Sequence, residues 1–371
     1  MTNVGITGGW GFVGSHFRFF LHEHKNDYTP VLIDKEDFSN DERLSRKLSI
    51  CNAVVHLAGL NRGNEEEIYE TNIGLTKQIL STLGQIGKKE TRIVFLSSTH
   101  NLRDTAYGRS KRDCQKIISN WGKTNKAKTV VIVAPNIYGE FVKPYYNSAV
   151  ATFCHELSEK KESAVNDSAK VELIYVRKIC SLIFDSLAAE NSLCTHFVRG
   201  REMKVSDVYN LLKKQRDEYL TGIIPFFSDD FELRMFNTFR SYLYPKYFPV
   251  PHEAKTDNRG SFVEIAKARI GGQSSFSTTH PGIVRGNHYH TRKIERFSVI
   301  RGEAIIRLRR LCSEEVMEYK VSGENPAYID MPTYYTHSIE NIGKSDLLTM
   351  FWINEIFDPN DPDTFAEPVM L

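Results

Sequence analysis

The sequence predicts two domains of different fold class: an N-terminal α/β domain built on a doubly wound parallel sheet, and a C-terminal all-β domain. The chain has 371 residues, more than one hydrophobic core usually serves. Up to about residue 200, short apolar runs alternate with longer amphipathic stretches, the pattern of parallel strands joined by crossover helices. Beyond about residue 250, short β-type runs follow one another between Gly, Asn and Pro turns.

The predicted elements of the first domain follow from these apolar runs. The strands are Val4–Thr7, Val31–Asp34, Ala53–Leu57, Arg92–Ser97 and Thr129–Ala134. Amphipathic periodicity predicts helices at about 64–84, 107–121, 205–220 and 229–243. Such alternation of strand and helix is typical of the Rossmann-type doubly wound sheet.

Three prolines mark the predicted domain boundary. Pro245, Pro249 and Pro251 lie within seven residues, a composition that stops helices and suits a linker. We therefore predict an N-terminal domain of residues 1–243 and a C-terminal domain of residues 244–371. The strands predicted for the second domain are Phe262–Ile265, Phe297–Ile300, Ala304–Leu308, Val316–Val321, Ala327–Ile329 and Leu347–Ile353. Short strands separated by turns in this way indicate an antiparallel barrel or sandwich.

Composition limits the classes of function. The 48 Lys and Arg residues nearly balance 46 Asp and Glu, for a net charge of +2 without long single-sign runs, so we expect neither nucleic acid nor a membrane as a partner. The sequence contains no apolar run of the roughly 18 residues that span a bilayer, and Met1 leads directly into a strand rather than an export signal. The six cysteines lack Cys-x-x-Cys spacing, which indicates reduced thiols and a cytoplasmic location.

A glycine-rich turn, TGGWGFVG, lies between the first predicted strand and a predicted helix. Small residues let the backbone turn tightly and approach a pyrophosphate, whose charge is met by amides at the helix N-terminus. An ordinary glycine turn is the alternative, but the position within a βαβ pattern favours a dinucleotide site. The predicted cofactor residues of this turn are Gly8, Gly11, Phe12, Val13 and Gly14.

The ends of the next two predicted strands add to this cofactor site. Asp34 lies 20 residues after Gly14, where an acid can hydrogen-bond the ribose hydroxyls of NAD. Its neighbour Lys35 could instead neutralise the 2′-phosphate of NADP, so the choice between NADH and NADPH stays open. Leu57 and Ala58 belong to a His-Leu-Ala-Gly segment that ends the third strand, where backbone is expected to pass close to the adenosine side of the cofactor.

Tyr107 and Lys111 form a Tyr-x-x-x-Lys pattern at the start of a predicted helix. Residues four apart share one helix face. A nearby ammonium lowers the pKa of a phenol, so Tyr107 could exchange a proton with a carbinol or carbonyl oxygen. Ser98, at the end of the preceding strand, would hold that oxygen. Tyr-x-x-x-Lys is common by chance, but its order after the glycine turn and the strand-end serine favours a catalytic site.

These residues resemble the extended short-chain dehydrogenases/reductases that act on nucleotide sugars, over about residues 1–243. The Ala-Pro-Asn-Ile-Tyr-Gly segment around Asn136 resembles a strand-end segment of that group, which implies that Asn136 binds the sugar. Sugar 4,6-dehydratases of the superfamily carry an Asp-Glu pair after the active-site hydroxyl, whereas this chain has Thr99 and His100. Simple carbonyl reduction is therefore the better interpretation. The segment Tyr175–Ile179 also departs from the usual acidic sequence.

Four residues carry the chemical signal of the second domain. His288 and His290 point to the same face of a strand, Glu295 can return on a neighbouring strand, and His337 can arrive from a third. Three imidazoles and one carboxylate suit Zn²⁺ or another divalent first-row metal. The alternatives are histidines without a ligand and a metal that only braces the domain.

The spacing of this quartet matches both halves of the cupin pattern, so the second domain resembles a cupin (jelly-roll) barrel. Residues 257–262 and 285–289 also resemble cupin sugar epimerases that invert keto-deoxysugars. Those enzymes generally work without metal, which leaves His288 either a ligand or a base. A cation would stabilise the enediolate formed when a hydrogen beside a ketone is removed. The remaining candidates for acid and base are Tyr334, Tyr335, His280 and Lys293.

Nearly the whole chain resembles the CapF family of bifunctional capsular-polysaccharide enzymes, including the stretches 146–154 and 358–364. The resemblance implies that the cupin, with Zn²⁺, epimerises C3 of a UDP-2-acetamido-2,6-dideoxy-4-hexulose, a UDP-activated 4-keto-6-deoxy amino sugar. It implies that the first domain then reduces the C4 ketone with NADPH. The product would be a UDP-N-acetyl-6-deoxytalosamine, the precursor of UDP-N-acetyl-L-fucosamine. A homodimer is implied as well.

Two other interpretations stay open at this point. One is a single-activity keto-sugar reductase whose cupin only binds sugar or joins subunits. The other is an NADPH sensor whose cupin recognises a regulatory ligand. The presence of both Tyr107 and Lys111 argues against a sensor, which has no use for that pair.

Overall fold

The computed structural model describes residues 1–165, 167–188, 193–258 and 260–371. Arg259, within the epimerase-like segment 257–262, therefore lies outside the described residues. The chain forms two compact units. Unit 1 comprises residues 1–152 and 166–206, and unit 2 comprises residues 153–165 and 207–371. This division groups residues 207–243 with the C-terminal strands, while the domain boundary at residue 243 stays a prediction of the sequence.

Unit 1 alternates strands with helices. Its described strands are β1 (Thr2–Thr7), β2 (Tyr28–Ile33), β3 (Ala53–His56), β4 (Arg92–Ser98), β5 (Thr129–Ala134), β6 (Asn136–Tyr138), β7 (Lys170–Tyr175), β8 (Leu193–Phe197) and β9 (Arg201–Lys204). Its helices are α1 (Phe12–Glu23), α2 (Lys35–Phe38), α3 (Asp41–Ile50), α4 (Glu65–Gln85), α5 (Ala106–Asn125), α6 (Ala149–Ser158), which begins in this unit, and α7 (Val176–Ala188). A 3₁₀ turn covers Thr99–Leu102.

The main sheet of unit 1 is parallel, with its described strands in the order β2-β1-β3-β4-β5-β8. Both faces are buried, as expected of a parallel sheet covered by helices on each side. Val4 and Ile6 pack on the face shared with α1 and α7, and Ile93 and Phe95 on the face shared with α4 and α5. The predicted doubly wound sheet is confirmed. The strand order reverses between β1 and β3, so the crevice for a ligand lies at their carboxyl ends.

Unit 2 is rich in antiparallel strands. Its helices are α8 (Val205–Tyr219), which begins at the end of unit 1, and α9 (Asp230–Arg240). Its strands are β10 (Ile223–Ile224), β11 (Val250–Pro251), β12 (Ala254–Asp257), β13 (Gly260–Val263), β14 (Lys267–Ala268), β15 (Gln273–Thr279), β16 (Val284–Tyr289), β17 (Glu295–Arg301), β18 (Glu303–Arg310), β19 (Val316–Ser322), β20 (Ala327–Met331), β21 (Tyr335–Asn341), β22 (Leu347–Ile353) and β23 (Phe365–Ala366).

Most of these strands form two antiparallel sheets. One has the described order β11-β20-β17-β22-β15 and the other β19-β18-β21-β16-β23. Strands from both sheets carry the predicted metal ligands, because β17 belongs to the first sheet and β16 and β21 to the second. The predicted antiparallel, strand-rich fold of the C-terminal part is confirmed.

A buried network of hydrogen-bonded side chains links α8 and α9 to β17 and β20 of unit 2. The guanidinium of Arg296 donates to the carboxylate of Asp330 at 2.7 and 2.9 Å, and the Tyr219 hydroxyl donates to the same carboxylate at 2.6 Å. Arg240 donates to the carbonyl of Met331 at 2.8 Å. These side chains are buried, so each charge depends on its partner. This network explains why helices that follow the α/β sequence pattern pack with the β-strands.

We expect Asp330→Ala to lower the free energy of unfolding of unit 2 by about 3–5 kcal/mol, since it leaves the Arg296 guanidinium buried without its counter-charge. Urea unfolding of the full chain, followed by tryptophan fluorescence and circular dichroism, measures this change. Lys213→Ala is the matched control, because its ion pair with Glu162 lies at the surface and should contribute less than about 1 kcal/mol. Equal losses for the two variants would contradict the role given to the buried network.

Among the described residues, the helices are too short or too polar for any of them to cross a membrane.

Candidate active sites

The glycine turn after β1 packs against the end of β3. Gly8 has a φ of +68°, and a Cβ added there would lie 2.8 Å from the amide nitrogen of Ala58. A Cβ on Gly14 would lie 2.2 Å from the Gly8 carbonyl oxygen. The hydroxyl of Thr7 accepts the amides of Leu57 and Ala58, each at 3.1 Å. The turn and the Leu57–Ala58 segment are thus brought together, as the sequence predicts for a cofactor crevice.

The first helix starts directly from this turn. Gly11 is the N-cap of α1 and provides no side-chain hydrogen bond, and Phe12 and Val13 are the first two helical residues. The leading amides of a helix have no partner within the helix. An uncapped N-terminus of this kind is suited to bind a phosphate.

Asp34 differs from its predicted place in the second strand. β2 ends at Ile33, and Asp34 is the N-cap of α2, where its Oδ1 accepts the amides of Glu36 at 3.1 Å and Asp37 at 3.3 Å. Aspartate favours this position because its carboxylate satisfies amides that the helix leaves unpaired. Lys35 is the exposed first residue of the same helix. The roles of Asp34 and Lys35 toward a ribose or a 2′-phosphate stay predictions.

Tyr107 and Lys111 lie on one face of α5, but their electrostatics differ from the prediction. The Lys111 ammonium donates to the carbonyl of Leu96 at 2.9 Å and lies 4.7 Å from the ring centre of Phe95 and 5.7 Å from that of Tyr107. Burial lowers the pKa of Lys111 to about 8 and raises the pKa of Tyr107 to about 12. The expected lowering of the phenol pKa is therefore wrong here, because burial removes hydration from the phenolate.

Ser98 stands at the end of β4, as predicted. Its Oγ accepts the amide of His100 at 3.2 Å and so caps the 3₁₀ turn Thr99–Leu102. The ring centres of His100 and Tyr107 are 6.2 Å apart. Because a hydroxyl that accepts one hydrogen bond can still donate another, Ser98 keeps the capacity to hold a substrate oxygen.

Asn136 lies on β6, whereas the segment 175–179, whose sequence departs from the superfamily pattern, spans the end of β7 and the start of α7. Asn136 is exposed on β6, and its side-chain amide donates to the carbonyl of Glu172 at 3.3 Å. Within 175–179, the guanidinium of Arg177 donates two hydrogen bonds to the carboxylate of Glu23 on α1, at 2.6 and 2.7 Å. Arg177, one of two basic residues in a segment that is usually acidic in the superfamily, thus has an ion-pair partner in unit 1.

The sequence alone gave no reason to select Asn72 of α4. Its side chain accepts the amide of Leu60 at 2.6 Å, donates to the carbonyl of Leu60 at 2.8 Å and donates to the hydroxyl of Ser110 at 2.9 Å. It therefore ties the loop after β3 to the helix that carries Lys111. An asparagine inside a helix has no local signature, since its partners lie 12 and 38 residues away.

The predicted metal ligands converge. His288, His290, Glu295 and His337 each offer a ligand atom, and these atoms lie within 4.8 Å of one another. Glu295 Oε2 lies 3.2 Å from the Nε2 atoms of both His290 and His337. The ring centre of His288 is 4.6 Å from that of His337 and 5.1 Å from that of His290. His288 is partly exposed and the other three are buried, so the cluster opens on the side of His288.

The protonation states of the cluster suit a cation. Burial, together with the neighbouring His337 and His290, lowers the pKa of His288 to about 3 and keeps its imidazole neutral. Burial opposes ionisation of Glu295, but hydrogen bonds from His290 and His337 hold the pKa of this carboxyl well below its usual range. A buried carboxylate beside three imidazole nitrogens is a donor set that divalent first-row metals accept. The residues therefore fit the predicted ion.

Two of the acid and base candidates lie beside the cluster. Tyr334 is buried, and its amide donates to the carbonyl of His290 at 2.8 Å. Lys293 lies between the ligands His290 and Glu295 in sequence, and its buried ammonium donates to the carbonyl of Pro362 at 2.6 Å. Both are held in place by backbone contacts.

The other two candidates are oriented elsewhere. His280 lies beyond the Val284 end of β16, opposite to the His288 end, and pairs with Asp346 at 2.8 Å on the surface. The ring of Tyr335 stacks on that of Tyr244, with centres 5.9 Å apart. The Tyr335 ring is thus directed to Tyr244, while the backbone carbonyl of Tyr335 lies 3.3 Å from His337 Nδ1.

Models of two known families match the two parts of the chain. The model of the NAD dependent epimerase/dehydratase family matches residues 4–193, and the model of the polysaccharide biosynthesis C-terminal domain matches residues 255–365. The chain belongs to the NAD dependent epimerase/dehydratase family.

Individual relatives extend the likeness over the full length. The solved structure of the capsular polysaccharide assembling protein CapF from Staphylococcus aureus is 32% identical, covers 99% of this chain and 100% of its own, and has a TM-score of 0.63. A UDP-2-acetamido-2,6-beta-L-arabino-hexul-4-ose reductase of Pseudomonas aeruginosa is 29% identical over 97% of both chains. UDP-glucose 4-epimerase from Brucella ovis, solved with NAD, shares the fold of 58% of this chain at 16% identity and a TM-score of 0.52, with 83% of its own chain covered. The resemblance to the CapF family is confirmed.

Proposed function

We propose that the chain is a bifunctional nucleotide-sugar enzyme of capsular or surface polysaccharide synthesis. Unit 2 epimerises C3 of a UDP-2-acetamido-2,6-dideoxy-4-hexulose. Unit 1 reduces the C4 ketone with NADPH, or with NADH, to a UDP-N-acetyl-6-deoxytalosamine. The observation that carries this proposal is the presence of a Tyr-Lys reductase pair and a His₃Glu cluster in one chain. A homodimer is part of the proposal.

The Pseudomonas relative supports the substrate class. That protein is a reductase of a UDP-sugar with an acetamido group at C2, a ketone at C4 and deoxy carbons at C2 and C6. A ketone at C4 is required by both proposed reactions, because it accepts hydride and makes the hydrogen on C3 acidic. Epimerisation followed by reduction is therefore a chemically consistent order: the second step removes the ketone that keeps C3 labile.

The reduction uses the buried pair on α5. The nicotinamide cofactor supplies hydride to C4 when it is bound in the glycine-turn crevice. With a pKa of about 12, Tyr107 keeps its phenol proton at neutral pH, which is the form needed to donate a proton to O4 as C4 gains the hydride. The Lys111 ammonium stabilises the phenolate that remains, and Ser98 hydrogen-bonds the same oxygen.

The epimerisation uses the cluster in unit 2. His288, His290, Glu295 and His337 would hold Zn²⁺, which supplies Lewis acidity beside the ketone when bound. The exposed side of the cluster at His288 gives the sugar access. Inversion then needs a base on one face of C3 and an acid on the other, for which His288, Tyr334 and Lys293 are candidates.

The test is incubation with a UDP-4-keto-6-deoxy-HexNAc in deuterated water, with and without NADPH, followed by NMR. Without NADPH, deuterium should enter C3 and both C3 epimers should appear. With NADPH, a single 4-hydroxy product carrying deuterium at C3 should accumulate. Reduction without any C3 deuterium would assign the chain to a single-activity reductase, and no turnover with NADPH binding intact would favour a sensor.

The rate of reduction should fall as the pH rises through about 8. Burial lowers the pKa of Lys111 from 10.5 to about 8, so the ammonium that supports Tyr107 is lost above that pH. The same shift affects folding. Between about pH 8 and pH 10.5 this lysine is protonated in the unfolded chain and deprotonated in the folded chain, so its contribution to the free energy of unfolding increases as the pH rises through that range. The measurement is kcat/KM for NADPH oxidation from pH 6 to 10. Lys111→Arg, which stays charged, should remove the decline; a decline that persists in this variant belongs to another group.

A further inference from the structure

The C-terminal strap, defined as residues Asp363–Val369, crosses the sheet edge next to the His288 cluster. Its strand β23 pairs antiparallel with β16, which places Ala366 opposite His288 and Phe365 opposite Tyr289. The rings of Phe365 and Tyr289 stack with their centres 5.1 Å apart. The strap is therefore a neighbour of the strand that presents two of the cluster residues.

The far end of the C-terminal strap is anchored by hydrogen bonds. The amide of Glu367 donates to the carbonyl of Asn287 at 2.8 Å, and the amide of Val369 donates to the Asn287 side chain at 3.1 Å. The buried guanidinium of Arg309 donates to the carbonyls of Val369 at 2.8 Å and Pro368 at 2.6 Å. These bonds fix the position of the strap and thereby of its first residue, Asp363.

Asp363 holds the connection between two cluster residues. Its buried carboxylate accepts the amides of residues 291–293, each at 3.0 Å, and the hydroxyl of Thr291 at 2.7 Å. These residues join His290 at the end of β16 to Glu295 at the start of β17. One side chain from 70 to 72 residues away therefore sets the path of the backbone between the two.

The backbone carbonyl of Asp363 also orients the ring of His290. Its oxygen lies 2.5 Å from His290 Nδ1. Since a carbonyl oxygen only accepts, Nδ1 carries a proton, which leaves Nε2 as the nitrogen that can bind a metal. That Nε2 points into the cluster, 3.2 Å from Glu295 Oε2. A histidine that donates from one ring nitrogen to a carbonyl and offers the other to a metal is the arrangement that strengthens metal binding.

We propose that Asp363 is a positioning residue of the zinc site: its carboxylate fixes the 291–293 connection and its carbonyl fixes the tautomer and direction of His290. The C-terminal strap thereby completes a site whose ligands all lie at least 26 residues earlier in the chain. This inference rests on the proposed zinc site, and it adds that zinc affinity depends on the end of the chain.

The experiment measures the Zn²⁺ dissociation constant of the full-length protein by competition with a chromophoric chelator. Asp363→Ala and Asp363→Asn keep the backbone carbonyl next to His290 Nδ1 but remove or weaken the carboxylate bonds that position it. Zinc binding should therefore weaken by about 10-fold, the lower end of the range for a disturbed outer partner of a metal-bound histidine. Thr291→Val, which removes only the hydroxyl bond to Asp363, should give a smaller loss. The matched control is Asp361→Ala, because Asp361 belongs to the same tail but pairs at the surface with Arg292, and it should change affinity less than about 2-fold.

The absorption spectrum of bound Co²⁺ provides a second readout that a purely bracing role would not move. At saturating Co²⁺, a reoriented His290 should change the position or intensity of the visible bands in the Asp363 variants and not in Asp361→Ala. If Asp363→Ala does not fold, the zinc affinities and Co²⁺ bands of Asp363→Asn and Thr291→Val are compared with those of the parent instead. Parent-like affinity and parent-like Co²⁺ bands in the folded variants would overturn the inference and leave the zinc site intact. Absence of zinc binding by the parent protein would instead overturn the zinc site itself.

Discussion

Replacing Tyr107 by phenylalanine is expected to stop reduction of the C4 ketone while exchange at C3 continues. The phenol keeps its proton at neutral pH because burial raises the pKa of Tyr107 to about 12, and its loss removes the acid for O4. General acid catalysis of this kind contributes about 10²- to 10⁴-fold to a rate, so NADPH oxidation should fall by that factor. Stopped-flow or steady-state absorbance of NADPH measures it, with C3 deuterium incorporation followed by NMR in the same sample.

The matched control for Tyr107→Phe is Tyr69→Phe. Tyr69 lies on α4 and donates its hydroxyl to Asp113 at 3.0 Å, so the change removes an equivalent hydroxyl from a pair not assigned to the reaction. Reduction by Tyr69→Phe should stay within about 3-fold of the parent. If Tyr107→Phe reduces the ketone as fast as this control, the assignment of the reductase site is wrong.

Replacing His337 by alanine is expected to have the opposite effect: C3 exchange should stop while the reductase site stays active. His337 is buried and its Nε2 lies 3.2 Å from Glu295 Oε2, so its loss removes one donor and leaves the carboxylate less well paired. Zinc affinity should fall by more than about 100-fold, because loss of even an outer partner costs about 10- to 100-fold. Metal analysis after dialysis and deuterium incorporation at C3 measure the two effects.

His280→Ala serves as the control for His337→Ala. It removes an imidazole that pairs with Asp346 on the surface, away from the cluster, and should leave both zinc content and C3 exchange unchanged. Reduction by His337→Ala should be tested with a substrate that already has the epimerised C3, so that loss of the first reaction does not mask the second. C3 exchange at the parent rate in metal-free His337→Ala would show that any bound ion only braces the domain.

Those parts of the candidate sites that depend on local spacing could be predicted from the sequence. The glycine turn, Tyr107 with Lys111, and the His288 and His290 pair each lie within one element or one turn, so the period of a helix or a strand places their side chains. The convergence of Glu295 and His337 on that pair required a third strand, and the structure brings all four together. Apolar runs likewise predict β1 to β5, since buried parallel strands have few polar residues.

Features that depend on distant partners could not be predicted in this way. The carboxylate of Asp34 caps α2 instead of ending a strand, because aspartate serves equally well as a cap and as a ligand. The pKa of Tyr107 rises because the phenol is buried, and burial is not visible in a short motif. Asp363 acts through backbone groups some 70 residues away, where the residues at the other end of the bonds carry no signature.

The attachment of α8 and α9 by Tyr219, Arg240, Arg296 and Asp330 determines how the two proposed activities can be separated on distinct polypeptides. A fragment starting at residue 244 would omit Tyr219 and Arg240 together with the buried Phe236 and Phe239, and it would uncover Arg296 and Asp330. A fragment starting near residue 205 keeps these groups together. Separation of the proposed epimerase from the proposed reductase should therefore cut before the helix pair, which lies beyond residues 4–193 matched by the NAD dependent epimerase/dehydratase model.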